Sequence, residues 1–421
     1  MGFGTRLATA LGVDGHLSQN DRHLLRYTTT AHALCHAVML SIPLLVPIWL
    51  VEFSVTRYEL GLLVTLMTGL FGVTALPAGV LSDRVGADRL IALFLFATGT
   101  ALALTPLVSG VPSLAVVVAL VGAGAGLYHS PALSLVSRDA DEPSKGFAYH
   151  GLGANFGIGL GPLVLTLGLA FTGWRTLLPL LGGVLVLFGL LFVRRGPDDD
   201  PGKSEASGSV RTQLGSFVTP LFAAIVFVYV FGGLYYRGTL TFLPDFLNAA
   251  SSLPALTPFG QTIEPGRWVY SVVLLVGSVG QIAGGNLGER FGPEPVLAAV
   301  FVATSAALAA LSLASGGGVL AAGIAFGALL FTLPPLQSAL VAKYIPTASR
   351  GVGFGLVFAL NFGVGAFGAS LAGWIVTNGT YARLFQVLAL LPLGAFAAVL
   401  AVRRLRSTTP ANGVGGAAVD D

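Results

Sequence analysis

Twelve apolar runs, each close to the length a helix needs to cross a bilayer, recur along the 421 residues and constrain the fold more than any other feature. A hydrocarbon core about 30 Å thick takes roughly 20 helical residues at about 1.5 Å each. The runs lie near 27–51, 58–80, 90–109, 113–137, 147–171, 174–193, 217–243, 268–288, 296–314, 318–342, 352–376 and 381–402. Lipid offers the backbone no hydrogen-bond partner, so each run must close its own bonds as a helix, and the alternation of a membrane barrel is absent. An all-α membrane protein with twelve transmembrane helices follows. Only 10% of residues are charged and 54% are hydrophobic, with a mean hydropathy of +0.83, whereas a soluble domain carries about 25% charged residues. Membrane lipid is the expected surroundings, and a net charge of +3 is too small for a nucleic-acid surface. Cys35 is the single cysteine, so neither an internal disulfide nor a cysteine-based metal site is available. The polar start, with Arg6, Asp14, Asp21, Arg22 and Arg26, differs from a secretory signal.

Counting Lys and Arg gives the orientation. With the N-terminus inside, 17 fall in inner segments and 4 (Arg57, Arg175, Arg267, Arg383) in outer ones, with Arg237 left inside a helix. The positive-inside rule then predicts a multi-pass plasma-membrane protein with both termini cytoplasmic. A polar stretch from Arg194 to beyond Arg211 lacks apolar periodicity and reads as a flexible linker. The expected parts are a cytoplasmic segment 1–26, a six-helix bundle 27–193, a linker 194–216, a second six-helix bundle 217–402 and a disordered tail 403–421. A second long loop is expected from about Pro244 to Arg267.

The halves repeat. Gly79-Val-Leu-Ser-Asp83-Arg84-Val-Gly86-Ala-Asp-Arg89 after the second run is echoed by Gly285-Asn-Leu-Gly-Glu289-Arg290-Phe-Gly292 after the eighth, an offset of 206 residues. Asn155-Phe156-Gly157 and Asn361-Phe362-Gly363 show the same offset. Duplication of a six-helix unit accounts for both matches.

The Gly79 to Arg89 segment resembles the signature loop between helices 2 and 3 of the major facilitator superfamily, with Ala87-Asp88 where a basic pair is common. Gly126-Leu-Tyr128-His129-Ser-Pro131, Gly151-Leu-Gly153-Ala-Asn155-Phe-Gly157-Ile-Gly-Leu-Gly161-Pro162, and His32 with Pro43 and Pro47 resemble the fosmidomycin-resistance group of efflux proteins. His36 stands where that group leads one to expect an acid. The resemblance implies two pseudo-symmetric bundles that rock around a cavity lined by helices 1, 4, 7 and 10. It also implies that Asp83 holds the start of helix 11 when the cavity faces outward.

The residues themselves carry further expectations. Gly79 and Gly86 permit close approach and a sharp turn, and Asp83 can accept from helix-start amides or pair with Arg84, Arg89 or Arg138. With Glu289 and Arg290 these form a candidate conformational latch; a solvated turn that only sets topology is the alternative. Gly153, Gly157 and Gly161, before Pro162, make a small-residue stripe expected to pack at the seam between the halves. Gly157 to Pro162 resembles part of the superfamily's antiporter motif, with Leu165-Thr166 in place of small residues.

Polar groups in lipid are costly and tend to face a cavity. Arg237 follows Gly232-Gly233-Leu-Tyr235-Tyr236, a setting in which an anion or aromatic ligand can sit beside the guanidinium and Tyr236. Lying roughly 9 Å before the expected helix end, it can instead snorkel to the interface. Gln281 and Gln337 are further candidate substrate contacts, whereas Asn155 and Asn361, kept in the same context by duplication, read as helix-packing residues. All six histidines (16, 23, 32, 36, 129, 150) lie in the first half. His32 and His36 share one helix face. None of the expected helices holds an Asp or Glu at mid-membrane, so proton coupling is assigned to His36 and His129, which also enter the substrate set; neutral histidines bridging helices are the alternative. Two histidines without a carboxylate or cysteine make an incomplete metal site, so no metal and no cofactor are expected. Nor do a nucleophile, base and orienting group form an enzymatic set. The expectation is a monomeric secondary transporter exporting a small organic, anionic solute in exchange for protons. Uptake of a metabolite, or a sensor that has lost transport, are the alternatives.

Overall fold

The computed structural model describes residues 17–199, 215, 217–345 and 350–408, the side chains of residues 83, 143, 144, 350, 351, 407 and 408 excepted. Segment 1–16, most of the expected linker and the tail beyond 408 lie outside the described residues. Among the described residues twelve helices are long and apolar enough to cross a membrane. We number them α1 Gln19–Glu52, α2 Arg57–Ser82, α3 Ala87–Leu107, α4 Val111–Asp139, α5 Lys145–Phe171, α6 Trp174–Arg195, α7 Pro220–Ala250, α8 Pro265–Phe291, α9 Pro293–Leu313, α10 Gly318–Tyr344, α11 Val352–Thr377 and α12 Tyr381–Arg406.

The packing repeats as the sequence does. In the first half α1 lies on α5, α2 on α4 and α3 on α6; in the second α7 lies on α11, α8 on α10 and α9 on α12. The halves meet along two matching seams, α2 against α11 and α5 against α8. The turns after α2 and α8 match in detail: Gly86 (φ 96°) and Gly292 (φ 82°) both occupy the positive-φ region, where a Cβ would strain the backbone. This is the physical content of the repeated glycine.

Several helices depart from the sequence-based limits. α1 starts eight residues early because Ser18 caps it, its Oγ accepting from Asp21 N at 2.9 Å, and the buried Asp21 carboxylate accepts from Asp141 N at 2.7 Å and Glu142 N at 3.3 Å. α7 does not stop at 243 but runs through Pro244 to Ala250, continuing the buried series Phe242, Leu243, Phe246 and Leu247. The following loop is therefore shorter than expected, and it holds an antiparallel bridge between Leu256 and Ile263. Three helices are interrupted near mid-membrane. α1 tightens to a 3-10 turn over Ile42–Leu45 at Pro43, α4 breaks between Ala125 and His129, and α11 breaks between Gly363 and Phe367. Irregular backbone at that depth is tolerated where protein or a cavity covers it.

Both termini of the twelve-helix array reach one end of the bundle, here the terminal end; the other is the far end.

Candidate functional site

On the first half, α1, α4 and α5 bring four histidines together, His129 standing at the start of the α4 segment beyond its break. His32 Nδ1 donates to the His150 carbonyl at 2.8 Å, which leaves its Nε2 as the acceptor for His36 Nε2 at 3.1 Å. His150 Nε2 donates to Tyr128 Oη at 3.0 Å, and Tyr128 in turn donates to the Thr28 carbonyl at 2.6 Å. His32 and His150 stack with centroids 4.0 Å apart, and His129 stands edge-on to His32 and His36 at 5.1 and 5.4 Å. His129 Nδ1 is buried without a hydrogen-bond partner. Ring nitrogens of His32, His36 and His129 lie within 4.8 Å of one another. The sequence named His36 and His129 as site residues; His32 and His150 complete the group, which no spacing rule could show because α1, α4 and α5 each contribute.

The second half supplies Arg237. It is buried, 6% exposed, and stands thirteen residues before the end of α7 at Ala250, about 20 Å along the axis. The shorter helix expected from sequence put the residue nearer an end than it stands. Its Nη1 donates to the Gly233 carbonyl at 3.2 Å, and its guanidinium lies 4.3 Å from the Phe362 ring centre and 5.7 Å from that of Tyr236. Among the described residues no carboxylate lies within ion-pair distance of it. A Cβ on Gly233 would come within 2.4 Å of Asn361 Oδ1 and 3.0 Å of Arg237 Nη1, so this glycine makes the room that the two side chains share. Asn361, read from sequence as a packing residue, is therefore a neighbour of the cation, whereas Asn155 has a buried Oδ1 without a partner. Gln337 faces Gly232, whose Cβ would stand 3.0 Å from its Nε2. Gln281 is half-buried on α8.

Two phenylalanines that the sequence gave no reason to single out connect these groups. Phe362 lies tilted against Phe71 with ring centroids 4.3 Å apart and lies 6.5 Å from His129; Phe71 lies 5.4 Å from His129. A histidine group on one half thus faces a bare guanidinium on the other across an aromatic septum.

The glycine stripe has a different partner from the one expected. Added Cβ atoms on Gly153, Gly157 and Gly161 would meet Thr29 O at 2.3 Å, Ala33 O at 2.2 Å and Ala37 Cα at 2.5 Å. These recur every four residues along α1, so the stripe clamps α5 to α1 inside the first half, with Pro162 in the helix interior. At the α5–α8 seam stand Gly159, against Leu275, and Thr166, bonded to Ser271 at 3.0 Å.

The expected latch is only partly described. The Asp83 side chain lies outside the described residues, as does that of Arg350 at the start of α11. Arg138 donates to Asp199 Oδ2 at 2.7 Å, and the same oxygen accepts from Ala87 N at 2.6 Å. The first linker residues therefore cap α3 and hold the end of α4. Gly79 packs α2 on α4, its Cβ position being 3.2 Å from Ser130 Cβ. Arg84 and Arg89 are exposed, as are Glu289 and Arg290, the latter over the Phe291 ring at 5.0 Å. In the second half the corresponding tie runs from the buried Glu294 to Lys343 at 2.6 Å and to Tyr344.

At the far end the halves are bonded together. Arg57 Nε donates to Asp245 Oδ2 at 2.5 Å and to Tyr381 Oη at 3.1 Å, and Tyr381 donates to Asp245. Tyr58 N donates to Thr377 Oγ1 at 3.0 Å, Thr65 Oγ1 to Ala366 O at 2.9 Å, and Tyr270 Oη to Leu40 O at 2.9 Å. Asp245, 9% exposed, is an acid inside a spanning helix that the sequence reading placed in a loop.

Known proteins share this architecture. The chain is 24% identical over 401 residues to the fosmidomycin resistance protein of Escherichia coli (strain K12), covering 92% of each. It is 28% identical over 391 residues to the 4-hydroxybenzoate transporter PcaK of Pseudomonas aeruginosa, covering 83% of this chain and 85% of that one. Among solved structures it resembles the nucleoside transporter NupG (TM-score 0.73, 16% identity, 91% of this chain and all of that one). It also resembles a bacterial homolog of the human lysosomal transporter Spinster in an inward-facing and occupied conformation (TM-score 0.70, 16% identity, 94% and 98%). The Major Facilitator Superfamily model matches twice, over residues 30–263 and 246–418. With twelve spanning helices, two matching seams and this double match, the chain belongs to the Major Facilitator Superfamily of membrane transporters.

Proposed function

We propose that this protein is a monomeric secondary transporter that exports a small organic anion by alternating access, in exchange for protons, across the plasma membrane with both termini in the cytoplasm. One observation carries the reading: Arg237 is a buried cation at mid-membrane with no carboxylate partner among the described residues. A charge left alone in a low-dielectric interior is expensive, and an anionic solute entering between Arg237 and Asn361 supplies the missing partner. The Phe362, Phe71 and Tyr236 rings give an adjoining apolar or aromatic group its surface. Support also comes from the relatives' names, one a resistance protein and the other a carrier of 4-hydroxybenzoate, a carboxylate.

The far-end network fits the closed outer face of the cycle, the cavity then facing the cytoplasm. Proton coupling in this reading uses Asp245. Its negative charge holds Arg57 of α2 and Tyr381 of α12, so a proton taken up from outside removes the ion pair and lets the outer face open, and release of that proton into the cytoplasm-facing cavity on reclosure re-forms the pair. Uptake uses the same cavity, and the hydroxybenzoate transporter is the observation that favours it.

The test is transport by the purified protein in proteoliposomes, using aryl carboxylates and phosphonates against their neutral amide and alcohol analogues. The reading predicts that anions exchange and neutral analogues do not, with accumulation driven by an imposed pH gradient. Equal passage of charged and neutral analogues would remove the anion site. The sign of the gradient that drives accumulation separates export from uptake.

A further inference from the structure

We infer that His32, His36 and His129 form a binding site for a borderline divalent transition-metal ion of the zinc type. His32 and His36, four residues apart, share one face of α1, and the break in α4 at Gly126–Tyr128 turns His129 toward them. The three ring nitrogens fall within 4.8 Å of one another. A tetrahedral zinc site with Zn–N bonds of about 2.0–2.1 Å needs nitrogens about 3.3–3.4 Å apart. The His32–His36 pair already meets at 3.1 Å, so closure requires a modest ring rotation of His129.

Two further features favour an ion over a plain hydrogen-bonded cluster. His32 donates its Nδ1 proton to the His150 carbonyl, the outer-shell bond that fixes the tautomer of a metal-ligating histidine and aims its Nε2 at the ion. His129 leaves a buried Nδ1 without any partner, a cost that coordination removes. Binding replaces the His36–His32 hydrogen bond: the His36 proton moves to Nδ1, and both Nε2 lone pairs face the ion. Neutral imidazole ligands suit Zn²⁺, Ni²⁺ and Co²⁺ better than Mg²⁺ or Ca²⁺. Three ligands leave a fourth position, where water or an anionic group of the cargo completes the shell. The sequence could not show this site, since its third ligand comes from a different helix.

The site is tested on the full-length transporter in detergent, purified without a polyhistidine tag, with Zn²⁺ alone as the probe. Calorimetry is expected to show one ion per chain, thermal unfolding a rise reversed by chelator, and Co²⁺ the visible absorption of a tetrahedral nitrogen site. His36→Gln and His129→Gln are each expected to weaken binding by about tenfold or more, in line with the sensitivity of metal sites to lost partners. His36→Asp, which restores a ligand oxygen, recovers it, and His23→Gln, at an exposed position, leaves it unchanged. Absence of Zn²⁺ binding by the wild-type protein, or equal binding by the His36→Gln and His129→Gln variants, overturns the assignment. Should either variant misfold, the Co²⁺ spectrum of the wild-type protein decides alone: an octahedral spectrum rejects the site.

Discussion

Arg237 and Asp245 sit two turns apart on α7, yet only the first was legible in the sequence. An arginine in an otherwise apolar run is conspicuous, because its charge has no reason to be there without a partner. Asp245 was hidden by Pro244, which ends helices in water but is tolerated in a membrane helix when neighbours cover the freed carbonyl; the apolar residues Phe246 and Leu247 beyond it were the available signal. Its partner Arg57 is 188 residues away, a contact between halves that no local pattern encodes. Asp245→Asn is expected to abolish accumulation driven by a pH gradient while sparing counterflow exchange, and His36→Gln to leave gradient-driven accumulation in place. The reverse pattern, measured in the same vesicles, would return coupling to the histidines. Phe362→Leu removes the ring beneath Arg237, an interaction worth roughly 0.5–2 kcal/mol, and should raise KM several-fold with little change in kcat; an unchanged KM would show that the ring does not shape the bound state.

Elements were read well where apolar length decided them and poorly where glycine did. All twelve spans stand near their expected places, but the breaks in α4 and α11 were invisible, because glycines 122, 124, 126, 363 and 365 fit a packed helix and an interruption equally. The stripe at 153, 157 and 161 was legible as a packing surface, while its partner was not: a small face says that a backbone approaches, not which one. The Cβ distances on α1 make its strength measurable. Gly157→Val forces a branched side chain into the Ala33 carbonyl, and overpacking of this kind costs about 1–3 kcal/mol. Thermal unfolding should therefore show a lowered midpoint for Gly157→Val and little change for Gly151→Ala, where a Cβ meets open space. Equal midpoints would mean that α1 and α5 yield at this contact.

For the whole molecule, the duplication seen as a 206-residue offset carries over into paired seams and matched turns, so the architecture was open to sequence reasoning from two short motifs. The ties around the matched turns were less so: in the first half Asp199 of the linker holds Arg138, outside the repeated unit, where Glu294 holds Lys343 in the second half. Orientation is testable in a Cys35→Ala background. Ser109→Cys, in the loop after α3, should react with an impermeant maleimide on intact cells, and Asp141→Cys, in the loop after α4, only after permeabilisation; the opposite pattern would invert the protein. The central claim, that one half presents a lone guanidinium to an anionic solute facing the histidine group of the other, is tested most directly by the kinetics of anion transport in proteoliposomes by wild-type, Arg237→Lys and Arg237→Gln proteins. Loss of a charge-assisted hydrogen bond costs about 1.5–3 kcal/mol, so Arg237→Gln should raise KM about ten- to hundredfold, with Arg237→Lys intermediate because it keeps the charge without the forked geometry. Equal KM and kcat for the three proteins would contradict the account.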